Sequence, residues 1–264
     1  MNDELFLVNI KIKERTPNVY PFSVPSIMNA GELDFKAPVT VLSGGNGCGK
    51  TTLLEMIAES LRASRISEAG GQSDKAKIFT KYHKYWTVAR SGKRMRSCFL
   101  FSSEDFTRYI EWTELEKRRA EAELMRIRLE NDNDRYMAMP YLHTLADLEG
   151  MYDTSLSAQS HGQGFLEFFK GRLSSCGLYM LDEPEGALTF ENQYLLSVMI
   201  IEAVKEGCQF LISTHSPIIT AIPNADILYF TDDGIEHRRY EDLENIRFLE
   251  MFMKRRKSLF NYDE

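Results

Sequence analysis

An α/β fold with a mostly parallel core sheet is predicted by three features of this 264-residue chain. Apolar strands alternate with helical segments through the last third, which implies crossover connections between parallel strands. A strand, a glycine-rich loop and an apolar helix follow one another in "VTVLSGGNGCGKTTLLEMIAESL". Near the start, "LFLVNIKI" alternates as a strand with one wet face does.

The elements follow in order. After "LFLVNIKI", the segment "VPSIMNAGELDFKAPVTVLSGG" reads as a turn, a short strand and the apolar strand Val39 to Leu42. The next helix carries Leu53, Leu54, Ile57, Ala58 and Leu61 on one face. Residues 62 to 97 are mixed and loop-rich, and "CFLF" reads as a short buried strand. From Phe106 to Leu148 the chain turns helical and charged. Leu115, Ala122 and Leu129 lie seven apart with Met125 between them, a narrow stripe under three heptads long that predicts a packed or protruding arm rather than a long coiled coil. Then come strand "GLYML", a helix from about Phe190 to Lys205, strand "QFLIS", a proline-marked helix start at "SPIITAI" and strand "DILYF", which turns at "DDG" into "IEHRRY". The segment "LENIRFLEMFMKRRK" predicts a closing helix, with "KRRK" at its end or in a tail. No internal repeat stands out. The expected organisation is one domain over 1–264, with a core lobe at about 1–105 and 173–245, a helical lobe at about 106–172 and the C-terminal helix at about 243–258.

At 43% hydrophobic and 27% charged residues, the composition is that of an ordinary globular chain. No apolar run approaches the roughly 20 residues that span a bilayer, and the first residues lack the pattern of a leader, so a cytoplasmic protein without membrane contact is expected. Cys48, Cys98, Cys176 and Cys208 are far apart in sequence, with no C-x-x-C pair to hold zinc. The net charge of -7 argues against a chain that coats nucleic acid over its whole surface. One local basic segment exists at 75–96, with eight Lys or Arg and no acid, interleaved with Tyr82, Tyr85 and Trp86. Such a segment is a candidate nucleic-acid surface, since cations neutralise phosphates and aromatics stack on bases. A solvated face with its aromatics turned inward is the plainer reading.

Three motifs carry chemistry. "GGNGCGKT" fits G-x-x-x-x-G-K-[ST], with Gly44, Gly49, Lys50 and Thr51 in place. The glycines let consecutive backbone N–H groups of a loop including Asn46, Gly47 and Cys48 wrap phosphates, at the start of a helix that reaches on through Thr52. Lys50 reaches the β/γ oxygens, and Thr51 offers a hydroxyl to Mg²⁺. "GLYMLDEPEGAL" ends an apolar strand in Asp182 and Glu183; beside a phosphate loop, the first can hold magnesium through its water shell and the second can polarise the attacking water. "FLISTHSP" places His215 past another apolar strand, at the same sheet edge, as a γ-phosphate contact.

With these in order, the chain resembles the ATP-binding-cassette (ABC) ATPase superfamily, and in detail the small stand-alone AAA-family ATPases related to the SMC and double-strand-break-repair ATPases. The strings "YPFSVPSI", "LSGGNGCGKTTLLEMIA", "SHGQGFLEFF", "GLYMLDEPEGAL", "QFLISTHSPI" and "RRYEDLENIRFLEMF" carry the likeness. It implies a P-loop NTPase with an antiparallel β subdomain and a helical lobe. It also implies ATP and Mg²⁺ as ligands, and catalytic roles for Lys50, Glu183 and His215. "SHGQG" then stands where the family has "LSGGQ", so Ser160, Gly162 and Gln163 would face the nucleotide of a second copy in an ATP-dependent homodimer. His161 replaces a glycine of that pattern. Two more departures appear: Glu104 stands near the position of a usual Gln, where it would bind a metal-bound water, and Thr189 replaces a usual Asp.

The resemblance implies a soluble ATPase whose dimerisation switches a helical arm or an effector or nuclease partner, in DNA maintenance or defence against mobile elements. One alternative is the nucleotide-binding subunit of a membrane transporter, for which an adenine-stacking aromatic such as Tyr20 or Phe22 is required. Another is a sensor that closes on ATP and hardly hydrolyses it; Glu183 argues against that one.

Overall fold

The computed structural model describes residues 5–66, 74–129, 135–150 and 161–260. In chain order they form β1 (Leu7–Ile12), α1 (Pro25–Met28), β2 (Glu32–Asp34), β3 (Val39–Gly44), α2 (Lys50–Leu61), β4 (Ser64–Arg65), α3 (Asp74–Tyr82) and β5 (Trp86–Arg90). Then follow β6 (Ser97–Ser102), α4 (Ser103–Leu129), α5 (Arg135–Gly150), α6 (His161–Arg172), β7 (Gly177–Asp182) and α7 (Phe190–Lys205). The chain closes with β8 (Gln209–Ser213), α8 (Pro217–Thr220), β9 (Asp226–Thr231), β10 (Gly234–Arg238) and α9 (Glu244–Leu259).

The main sheet has the order β10-β9-β3-β8-β7-β6-β4, parallel throughout except for the β9–β10 hairpin. Strands covered on both faces read as unbroken apolar runs; accordingly β3 and β8 are buried at every position. The register sets Leu42 and Asp182 each beside Ser213, and Ser102 beside Asp182. The segments that follow β3, β7, β8 and β6 therefore leave the sheet at one edge, where ligands of open α/β sheets bind.

A second sheet, β2-β1-β5, is antiparallel. Between the two lies α2, buried at Thr52, Leu53, Leu54, Met56, Ile57 and Ala58, well beyond a single stripe. The side chain of Gln209, on β8, ties the sheets together. Its Oε1 accepts from the backbone N–H groups of Phe6 and Leu7 at 2.8 and 2.9 Å, and its Nε2 donates to Leu7 O at 3.1 Å.

Two expectations need correction. The segment read as a turn before β2 contains α1, which starts at Pro25, where a missing N–H is no loss. The segment read as loop-rich contains α3 and β5; β5 pairs with β1, a partner far away in sequence. In the arm, the stripe Leu115, Ala122, Met125 and Leu129 is exposed, while Phe106, Tyr109, Ile110, Ala120 and Ile127 are buried. A second heptad register runs through Thr113, Ala120 and Ile127, and its small members let α5 pack along α4. The three phenylalanines of α6, Phe165, Phe168 and Phe169, meet Phe101 and Phe106 edge-on at 5.1–6.4 Å.

Candidate active site

The loop between β3 and α2 is shaped by backbone that only glycine adopts freely. Gly44, Gly47 and Gly49 have φ of +146°, +74° and +107°. A Cβ on Gly49 would sit 2.8 Å from Ser26 Oγ and 3.0 Å from Val24 Cγ1, so the segment entering α1 buttresses the loop from behind. The hydroxyl of Ser26 donates to Cys48 O.

Lys50 is 4% exposed and its ammonium is fully engaged. It donates to Gly44 O at 3.1 Å, Gly45 O at 2.9 Å and His215 Nε2 at 3.0 Å, with Cys48 Sγ a longer contact at 3.9 Å. His215 Nε2 in turn lies 3.9 Å from Glu183 Oε1. Thr51 Oγ1 reaches both carboxylate oxygens of Asp182, at 2.9 and 3.0 Å. Five of the predicted site residues, Lys50, Thr51, Asp182, Glu183 and His215, thus meet at one sheet edge. Thr52 is buried, and its hydroxyl lies 3.2 Å from that of Tyr20.

Burial pushes the carboxyl of Asp182 up to about 6 against the hydrogen bonds from Thr51, and the neighbouring Glu183 and Glu55 add to the rise. This is a carboxylate short of positive charge. One hydroxyl and one carboxylate, both hard oxygen donors, fit a magnesium ion whose remaining ligands are phosphate oxygens and water. Among the described residues no ready-made group of three His, Cys, Asp or Glu side chains forms a metal cage.

Other predicted residues lie apart. Glu104, expected beside the metal, ion-pairs with Arg108 one turn along α4 and is largely exposed. Among the described residues no hydrogen bond joins it to Thr51 or Asp182. An i,i+4 partner of opposite charge on its own helix captures it. Ser160 lies outside the described residues. Gly162 is buried: a Cβ there would stand 2.5 Å from Asn192 Nδ2 and 3.2 Å from Ala187 O. Gln163 is exposed on the first turn of α6. Thr189 caps α7, its hydroxyl accepting from Asn192 N. Gly45, Asn46, Gly47 and Cys48 line a cavity of about 410 Å³, together with Tyr229 and Arg238.

Of the aromatics of 75–96, Trp86 is turned inward while Tyr82 and Tyr85 are half-buried. Trp86 is 1% exposed, and its Nε1 donates to Met56 O and Ser60 Oγ. Tyr82 and Tyr85 pack edge-on against Phe22. Lys81, Lys84, Arg90, Arg94 and Arg96 remain on the surface. Phe22, itself buried, offers no face to an adenine. Among the described residues no helix is long and apolar enough to cross a membrane.

Sequence reasoning passed over Glu185. Its carboxylate accepts from Thr214 Oγ1 at 2.7 Å and from the backbone N–H of His215 at 2.6 Å. The one available signal was the third acid of "DEPE", which follows Glu183 by two residues.

Comparison with known proteins gives one family match, a model described as an AAA domain, over residues 23–155. No curated protein sequence matches the chain. Among solved structures, a similar one is the Smc head domain of Pyrococcus furiosus with an extended coiled coil, bound to the C-terminal domain of ScpA. It has 14% identity over 96% of this chain and 100% of that one, with a TM-score of 0.43. An Smc head bound to the C-winged helix domain of ScpA has 14% identity over 88% and 97%, with a TM-score of 0.45. An inward-facing ABC transporter of metal-chelate type has 18% identity over 94% and 90%, with a TM-score of 0.43.

Proposed function

Because the chain belongs to the AAA-domain family of P-loop ATPases, we propose that it hydrolyses ATP to ADP and phosphate in the presence of magnesium, at sites completed by a second copy. The reading rests above all on the meeting of Lys50, Thr51, Asp182, Glu183 and His215 at one edge of the sheet.

The loop N–H groups and the start of α2 hold the β-phosphate, favoured by the helix dipole. Lys50 exchanges the carbonyls of Gly44 and Gly45 for β- and γ-oxygens, and His215 bonds the γ-phosphate. Glu183 takes the proton from a water attacking the γ-phosphorus in line with the departing ADP. Magnesium, held by Thr51 and supported by Asp182, supplies neutralisation of the β/γ charge. Ser160, Gly162 and Gln163, in the segment that resembles the family signature, complete the site across a homodimer. Closure of that dimer switches an effector or nuclease partner in DNA maintenance or defence against mobile elements. The exposed cations of 75–96 suit nucleic-acid phosphates without base recognition.

Replacing Glu183 by Gln tests the reaction. Turnover is expected to fall by about 10²–10⁴-fold, the share a general base supplies, while ATP binding persists and light scattering with ATP and magnesium reports a doubled mass. Equal rates in the two proteins would remove the hydrolytic reading. A monomer mass under saturating ATP would remove the dimer.

A further inference from the structure

We infer that Glu185 is a positioning residue that ties the main chain of His215 to the arm, so that engagement of a γ-phosphate by His215 is felt at the start of α4. The inference rests on the ATPase reading of the site.

Glu185 lies in the 3-10 turn Pro184–Ala187 that follows Glu183. The turn is pinned at its entry, where Glu183 N donates to Ser213 O at 2.8 Å. It is pinned at its middle by the two bonds that Glu185 accepts from Thr214 and His215. A buried chain of hydrogen bonds fixes its exit. Ser216 N donates to Thr214 Oγ1 at 3.0 Å, Ser216 Oγ donates to Gln193 Oε1 at 2.7 Å, and Gln193 Nε2 donates to Leu188 O at 3.0 Å. Thr214 is fully buried and Ser216 and Gln193 nearly so, which makes each of these bonds costly to lose. His215 and the turn therefore move as one body.

That body touches both helical elements beside it. A Cβ on Gly186 would stand 3.1 Å from Ser103 Oγ, on the first residue of α4. Ala187 O lies 3.2 Å from where a Cβ on Gly162 would be, at the start of α6. The turn thus lies against both helices with less room than a methyl group needs, so a displacement of the turn toward either one presses on it. The carboxylate is needed because both of its bonds are accepted. An amide at 185 still accepts from His215 N–H but leaves the Thr214 proton without its acceptor.

The test uses the full chain and Glu185→Gln, with Glu185→Ala as the stronger variant and thermal melting to confirm that each folds. Turnover should fall about tenfold in Glu185→Gln and about a hundredfold in Glu185→Ala, the range expected for hydrogen bonds to a charged group. The dissociation constant for a fluorescent ATP analogue and KM should stay within about threefold of the wild type. In a His215→Ala background, Glu185→Gln should cost nothing further, because its effect passes through His215. Hydrogen exchange in the first turns of α4 should change on adding ATP to the wild type and not in Glu185→Gln. Equal turnover in wild type and Glu185→Gln overturns the inference, as does an equal loss in both backgrounds or an ATP-dependent change at α4 that survives the substitution. If the wild type neither binds nor hydrolyses ATP, the ATPase reading fails and this inference falls with it.

Discussion

At neutral pH the carboxyl of Asp182 is held in surroundings that disfavour its charge, with Glu183 and Glu55 close by. A carboxyl raised from 3.8 to about 6 on folding costs stability when ionised. The cost is full above pH 6, shrinks as the pH falls toward 4 and is gone below the unfolded value. Asp182→Asn keeps an acceptor for the Thr51 hydroxyl and removes the charge. Without nucleotide or magnesium it should raise the thermal midpoint by a few degrees at pH 7.5, and the gain should disappear by about pH 4. A gain that grows toward acid would contradict this. The same substitution should weaken magnesium-dependent ATP binding. Lys50, Thr51, Asp182, Glu183 and His215 were legible because loop motifs fix residue type and spacing locally. Glu104 and Glu185 were not, because the partner of an exposed or half-buried acid depends on what the fold brings within reach.

The arm shows how a periodic pattern can be read one face out. Leu115, Met125 and Leu129 look like a seam, yet they lie on the wet side, and the seam uses Thr113, Ala120 and Ile127. Ile127→Ala should lower the stability of the arm, read from denaturant unfolding or hydrogen exchange, by about 2 kcal/mol, the low end for a buried Ile→Ala change. Met125→Ala should fall within about 0.5 kcal/mol of the wild type. Equal effects would show that the two faces of the helix are buried alike. Helix α7 was readable to its ends because Thr189 caps it and Gly207 follows it closely. Strand β5 was not, since its identity depends on pairing with β1 some 75 residues earlier in the chain.

The two sheets are joined through one amide as well as through α2. Gln209 is completely buried and serves three backbone groups of Phe6 and Leu7. Gln209→Leu should leave all three without partners and cost about 3 kcal/mol or more in a urea or guanidinium titration. A loss under about 1 kcal/mol would show that α2 holds the sheets by itself. A lone Gln in an apolar strand gave no sign of this, because its partners are some 200 residues away. The arm also has a mechanical meaning. Helix α4 has 27 residues and begins beside Gly186, so at a rise of about 1.5 Å per residue it is a rod of about 40 Å rooted next to the turn that follows Glu183. A tilt of about 5° at that root sweeps the far end through about 3.5 Å. On the reading proposed above, a shift of a fraction of an ångström beside Glu183 would become a stroke of a few ångströms at the tip of the arm.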